Sequence, residues 1–421
     1  MIPVAEALRI VVEAAHPLGL ERVSLTDACG RVAAEDVVSA RAVPAAANSA
    51  MDGFAVRAED VSAPGARLRI VGSIPAGSVR GDTLAPGTAV KIFTGSVVPP
   101  GADTVVRVED TEGAGEQVIV KIAHPPGANV RLAGEDIAVG ATVVRAGQAL
   151  GPADVGVLAS VGRAAIAIHR RPRVAILSTG AELIEVDEIP GPGQVVNSNA
   201  YALAAVVREA GLAPPLVLPI VRDRFDDIRA RLEEAAEADV VLSTGGVSVG
   251  EFDFVKEALD AIGVERLFWK VAQKPGKPLT FGRRGQHLFF GLPGNPVSAL
   301  VCFAVYAWPA LRRLAGHTRL HLPSERARLA APVRRKPGLT EFVRVHLDGG
   351  APVPAAVPFR SQSSGVLTGL GSGAGLLVAP AERGPLEAGE EFDVLRPGPF
   401  AAATAGSVLL GATVASPGET C

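Results

Sequence analysis

The chain has 421 residues, 48% of them hydrophobic and 20% charged, with a formal net charge of −3 at pH 7. This length is too great for a single compact core and predicts three or four domains, while the composition excludes wholesale disorder. The charge argues against a general nucleic-acid binder, so any anionic ligand must be held by a local cluster. Cys29, Cys302 and Cys421 are scattered without C-x-x-C spacing, which supports neither a disulfide framework nor a Cys-rich zinc site. Met1 to Arg9 lacks the basic-then-apolar layout of a signal peptide. No uninterrupted apolar run of about 18 residues predicts a membrane span, and a cytoplasmic protein is expected.

From Val4 to Ala15 the apolar positions recur with helical spacing, and Pro17-Leu18-Gly19 ends the pattern. Residues 23–42 read as a short turn-and-helix lead-in. Between Asn48 and Asp136 the texture changes to short β-like runs, including Leu68–Val71, Ala89–Phe93, Thr104–Val108 and Gln117–Ile122. A helical pattern returns at 152–162, expected to pack beside the first helix, which predicts a β-rich domain inserted into a helical one. From Arg173 strands alternate with helices: Val174–Leu177, Ser198–Ala210 closed by Gly211, Leu216–Val221, Phe225–Glu237, Val240–Ser243, then apolar Val255, Ala258, Leu259 and Ile262. A hairpin follows around Arg284-Gly285, and Asn295-Pro296 opens a long helix with Asn as cap and Pro at its first position. Such alternation predicts a three-layer α/β/α domain on a mainly parallel sheet. After Pro323 the runs Ala327–Val333, Glu341–Leu347, Leu376–Ala379 and Phe392–Leu395 predict a β-barrel or sandwich. The fold class is therefore multidomain α/β. Its expected boundaries are 1–47 with 139–171 (helical and extended, linking), 48–138 (inserted, β-rich), 172–322 (α/β), 323–400 (C-terminal β) and 401–421 (flexible tail).

The segment Val240 to Asp253 is the most informative. An apolar strand runs into Thr244-Gly245-Gly246-Val247-Ser248, placing small residues and backbone N–H groups at the carboxyl end of a buried strand, where open α/β sheets bind oxyanions. Asp253 adds a negative group that fits if a divalent cation bridges it to the ligand; read alone, the segment is equally an ordinary β–α turn. Ser178-Thr179-Gly180-Ala181-Glu182 and Arg222-Asp223 follow two other strands, so Glu182, Asp223 and Asp253 can converge as ligands of Mg²⁺. Lys270, Lys274 and Lys277 surround a rigid Pro-Gly-Lys-Pro and predict a phosphate clamp. Pro293-Gly294-Asn295 opens a helix and favours an anion at its N–H groups. Further polar loops are Asn48–Gly53, which alone reads as an Asp-Gly turn around Asp52, Thr94-Gly95, and Arg131 ahead of Gly134-Glu135-Asp136. A Walker loop, a G-x-G-x-x-G fingerprint and a Ser-His-Asp arrangement are all absent from the sequence.

In this order, Asn48–Gly53, Thr94-Gly95, Gly134–Ile137, Ser178–Gly180, Ser243–Gly250, Lys274–Pro278 and Gly291–Ser298 closely resemble the motifs of the molybdopterin molybdenumtransferase (MoeA) family, which includes the E domain of gephyrin. The match spans about residues 1–398. The resemblance implies a four-domain, L-shaped homodimer that inserts molybdate into adenylylated molybdopterin and releases AMP with Mg²⁺. It also implies possible contact with the molybdopterin adenylyltransferase. By motif position it assigns functional roles to Asp52, Thr94, Asp136, Glu182, Asp223 and Asp253, an anion clamp to Lys274 and Lys277, and site positions to Arg131, Arg344 and Ser364. Ala47, Phe54, Leu132, Ala133, Ala181 and Ser361-Gln362 depart from residues common in relatives. Rival readings are an adenylyltransferase-like enzyme, a tungstate-inserting variant and a non-enzymatic scaffold.

Overall fold

The computed structural model describes residues 1–246, 254–349, 352–371, 374–398 and 409. Asp253, Ser248 and, apart from Leu409, the expected tail lie outside the described residues. The chain forms two compact units, one of Met1–Glu21, Gly30–Val32 and Ile168–Cys421, the other of Arg22–Cys29 with Ala33–Ala167.

The smaller unit is built on a six-stranded sheet, in the order Thr104–Arg107, Gly53–Val56, Thr88–Ile92, Ala66–Ile74, Gln117–Val120, Thr111–Ala114. Neighbouring residues serve opposite faces: Val56, Ala89 and Val106 enter one apolar cluster, Ala55, Val90 and Val105 another. Covering both faces explains runs as apolar as Val105-Val106. Asp52-Gly53 is more than a turn, because a Cβ on Gly53 would lie 1.9 Å from the Val106 carbonyl oxygen of the adjoining strand. Only glycine allows that approach.

In the larger unit a second six-stranded sheet runs Leu216–Val217, Val174–Ser178, Val240–Thr244, His287–Leu292, Thr280–Arg284, Glu265–Trp269. The first four strands are parallel; the last two add by successive antiparallel pairings. Val174, Ile176, Val240, Leu242, Leu288 and Phe290 face one helical layer, made by Val4–Ala14, Ser198–Glu209 and the helix from Pro296 to Leu314. Ala175, Leu177, Val241 and Phe289 face the other, made by Phe225–Ala235 and Phe254–Ala261. The three-layer expectation is met. The helix Val4–Ala14 packs against the Pro296–Leu314 helix, while Pro152–Ser160, its expected neighbour, packs on Leu25–Ala28 and Thr142–Val144.

The helix from Pro296 to Leu314 has the length and apolarity of a membrane span, yet 83% of it is buried inside the fold, as befits a core helix. It widens into a π turn over Phe303–Ala307, directly before Pro309. Proline has no N–H and collides with the carbonyl of the preceding turn, so the wider turn lets the helix continue.

The expected strand Leu216–Val221 stops at Val217. The Leu218 N–H still reaches the Ile176 carbonyl (2.9 Å), but the next bond, Val221 N–H to the Ser178 carbonyl (2.9 Å), comes three residues on instead of two, so the chain bulges at Pro219-Ile220. Pairing resumes at a single parallel bridge between Val221 and Thr179. That bridge brings Asp223 to the sheet's carboxyl edge. The C-terminal strands Ser324–Leu329, Thr340–Asp348, Ala355–Pro358, Ala374–Ala379 and Glu391–Leu395 close into a five-stranded barrel around Ala327, Val343, Val345, Leu377 and Val394. Gln273-Lys274 pairs alongside Thr340-Glu341 of this barrel.

Candidate functional site

At the carboxyl edge of the parallel sheet lies a cleft of about 660 Å³, lined by Thr179, Glu182, Asn197, Asn199, Thr244, Gly245, Gly246, Pro278, Pro293, Gly294, Asn295, Pro296 and neighbours. The strand ends are tied by hydroxyls: Thr244 Oγ1 donates to Ser178 Oγ (3.2 Å), and Ser178 Oγ donates to Asn197 Oδ1 (3.0 Å). Asn197 also caps the helix Ser198–Glu209, accepting from the Ala200 N–H. Ser178 is thereby committed to the scaffold, whereas the backbone at Gly245 and Gly246 borders open space. A Cβ on Gly245 would stand 2.1 Å from the Thr179 carbonyl oxygen, and one on Gly246 2.5 Å from Val255. Both glycines also have positive φ, +88° and +60°. The loop is glycine because Gly245 packs on backbone, Gly246 on the Val255 and Thr179 side chains, and both need positive φ.

Asn295 departs from its expected role. It occupies the cap position, but its side chain makes no cap bond and its Nδ2 donates instead to Ser364 Oγ (2.9 Å). The cause is local. Pro296 has no N–H to cap, and the Val297 N–H is taken by the Ser364 carbonyl (3.1 Å). Asn199 Nδ2 in turn holds the Gly294 carbonyl (2.7 Å), fixing the Pro293-Gly294-Asn295 wall.

Ser364 is presented by a buried arginine. Arg344, expected to touch the anion, is 1% exposed, and its guanidinium donates to the carbonyls of Val366, Ser361 and Ser363 at 2.6–2.9 Å. It is a positioning residue. Gln362, a departure from relatives, bonds both the N–H and the carbonyl of Arg344. It thereby reinforces the same loop.

Of the acids, Glu182 lines the cleft and Asp223 accepts from the Ala181 N–H (3.1 Å). Burial raises the Asp223 carboxyl above the ordinary carboxylate range; the Ala181 N–H opposes this and the nearby Glu182 charge adds to it. Ala181, another departure, serves Asp223 through its backbone, so its side chain is not needed for that contact. No group of three metal-binding side chains occurs among the described residues, Asp253 lying outside them.

The expected lysine clamp divides. Lys274 pairs with Glu341 (2.7 Å), Lys270 stacks on Trp269, and the exposed Lys277 ammonium has no partner among the described residues. What fixes this loop is underneath it. Gln273, fully buried, donates to the carbonyls of Pro275 (3.1 Å) and Gly276 (3.4 Å) and accepts from the Tyr306 hydroxyl of the core helix. Replacing Tyr306 by Phe leaves the Gln273 amide oxygen unsatisfied. We expect a loss of about 1–3 kcal/mol and weaker ligand binding with the lysines intact, read by thermal unfolding and calorimetry. Unchanged stability would show that this bond does not support the loop.

In the smaller unit, Asp52 Oδ1 accepts from both the N–H (2.7 Å) and the hydroxyl (2.8 Å) of Thr94. These bonds, the backbone one foremost, lower the Asp52 pKa, keeping an exposed carboxylate ionised and oriented. Arg131 lies on a strand paired with Asn48-Ser49, so the Asp52, Thr94 and Arg131 loops are neighbours. The Asp136 side chain is exposed and has no partner among the described residues.

Family models match three stretches of the chain: the MoeA N-terminal region (domain I and II) over residues 2–162, a probable molybdopterin binding domain over 175–313, and the MoeA C-terminal region (domain IV) over 326–396. The chain is 38% identical over 399 residues to the molybdopterin molybdenumtransferase of Nostoc sp., covering 89% of this chain and 88% of that protein. It is also 38% identical over 406 residues to molybdopterin molybdenumtransferase 2 of Mycobacterium tuberculosis, covering 94% and 99%. The chain belongs to the molybdopterin molybdenumtransferase family. A solved molybdopterin biosynthesis MoeA protein from Pyrococcus horikosii shares the fold at a TM-score of 0.81 and 32% identity, covering 94% of this chain and 99% of that one. Membership of this family agrees with the resemblance drawn from the motifs. Asn197, Asn199, Gln273 and Tyr306 were not singled out in the sequence; Asn197 alone had a local signal, a polar residue directly before a helical run.

Proposed function

We propose that this transferase of molybdenum cofactor biosynthesis inserts molybdate into adenylylated molybdopterin and releases AMP. The observation that carries the reading is the cleft itself. Glycine backbone from Gly245-Gly246 and Gly294 opens on one space with Glu182 at its wall and Asp223 beside it. The Gly245 N–H is taken by the Leu292 carbonyl, which fixes the loop before any ligand arrives and leaves the N–H groups of Gly246 and Gly294 to suit phosphate and molybdate oxygens. Asn295 and Ser364 present an amide and a hydroxyl at the helix start, where an oxyanion needs donors. Lys277 supplies charge from the loop that Gln273 braces, while Lys274 is paired with Glu341.

The donor set fits Mg²⁺, a hard cation that binds one or two carboxylates together with ligand phosphates and water. Glu182 and Asp223 would hold it, with Asp253 a further candidate. Bound there, it would neutralise charge on the phosphoanhydride-like bond being cleaved. Within the smaller unit, functional roles are also proposed for Asp52, oriented by Thr94, and for Arg131 and Asp136. We also propose a homodimer, and contact with the molybdopterin adenylyltransferase that makes the substrate. Light scattering giving twice the chain mass would support the dimer, and a monomer mass at working concentration would refute it.

Binding separates this reading from an adenylyltransferase. Calorimetry should show tight binding of adenylylated molybdopterin and no requirement for ATP. ATP-dependent pyrophosphate release from unmodified molybdopterin would overturn the reading.

A further inference from the structure

Trp269 ends the edge strand Glu265–Trp269, whose direction matches the parallel strands, so it stands at the same carboxyl edge of the sheet as the cleft. Two ammonium groups lie over its ring, Lys256 Nζ at 3.9 Å and Lys270 Nζ at 3.8 Å from the centroid. At most about 8 Å therefore separates two like charges, each attracted by one indole. Both lysines are half-buried, and neither has a carboxylate partner among the described residues. Trp269 Nε1 is also buried there without a hydrogen-bond partner. Lys270 further adopts a left-handed backbone with φ of +66°, which a non-glycine residue keeps only when its surroundings enforce it. Its N–H is fixed to the Leu279 carbonyl (3.0 Å) and the Val271 N–H to the Lys277 carbonyl (3.0 Å), on either side of Pro278 in the cleft wall.

Like-charge repulsion, a strained backbone and an unpartnered indole N–H all oppose stability at one place. A tetrahedral oxyanion bound beside the ring, within reach of either ammonium group, would offset the first. We infer that Lys256, Trp269 and Lys270 form an oxyanion subsite at the sheet edge, separate from the Lys274–Lys277 loop. The inference rests on the proposed function only in naming the sources of that anion, a nucleotide phosphate or molybdate.

Trp269 provides the readout, since the chain's other tryptophan, Trp308, is fully buried in the core. Tryptophan emission is titrated with inorganic phosphate, AMP and molybdate, each at up to millimolar concentration. A saturable change is expected that disappears in Trp269→Phe, weakens by about tenfold or more in Lys256→Met and in Lys270→Met, and survives in Lys256→Arg. A response to AMP and phosphate assigns the subsite to the nucleotide, and a response to molybdate alone assigns it to the metal oxyanion. No response to any of the three, or a response that both Met variants retain, would overturn the inference. The titration needs no turnover, so its failure and that of the proposed reaction are read separately.

Discussion

Asp223→Asn should slow AMP release severely while raising the thermal stability of the ligand-free protein. Burial foremost, and then the Glu182 charge, hold the Asp223 pKa above its ordinary value despite the Ala181 N–H. A carboxyl with a raised folded pKa binds its proton more tightly when folded than when unfolded. Its contribution therefore becomes unfavourable as pH rises from 3.8 through the folded value, and the penalty is complete above that value. Asparagine removes that charge and keeps an oxygen for the Ala181 N–H. If Asp223 and Glu182 hold Mg²⁺, added Mg²⁺ should raise the melting temperature of the natural protein and leave that of Asp223→Asn unmoved. The rate should fall by about 10²–10³-fold, the scale of losing one electrostatic group from an active site. If the acid only shapes the turn, the Asn variant will turn over normally and respond to Mg²⁺ as the natural protein does.

Gly245→Ala should be among the most damaging single substitutions in the larger unit. The new Cβ meets the Thr179 carbonyl oxygen at 2.1 Å, in a backbone with φ of +88°. Neither side can yield easily, because the Thr179 N–H is bonded to the Thr244 carbonyl (2.9 Å) and the Gly245 N–H to that of Leu292 (3.3 Å). We expect a loss of about 3 kcal/mol or more, from backbone strain and collision together. Gly193→Ala is the control: its φ is +82°, but nothing lies within 4 Å of the added atom. It should cost only about 1–2 kcal/mol, the conformational penalty alone. Equal shifts in the thermal midpoints of the two variants would show that the Gly245 contact relaxes freely.

The contrast between these glycines marks what could be read from the chain. Alternating apolar runs and helical spacing carried the layers of the α/β unit, because burial on two faces leaves its imprint residue by residue. The Gly-rich loop after Val240–Thr244 was legible for the same reason: its chemistry is local. The partnerships that hold the cleft were not. Asn295 meets Ser364 across 69 positions, and Tyr306 meets Gln273 across 33. Arg344 has the charge of an anion ligand, yet its environment gives it three backbone carbonyls instead. Pattern and propensity describe a residue's own segment, whereas these bonds depend on which segment the fold brings opposite. Asp223 shows both sides. Its place after a strand was readable, but the bulge at Pro219-Ile220 and the bridge from Val221 to Thr179 that deliver it to Ala181 were not.

The central claim is tested most directly by following AMP release from adenylylated molybdopterin on the purified protein, with and without molybdate and Mg²⁺. The account predicts release that requires both and yields cofactor able to activate a molybdenum-free apoenzyme. Release that is indifferent to molybdate, or no release when bound ligand is demonstrated, would contradict it.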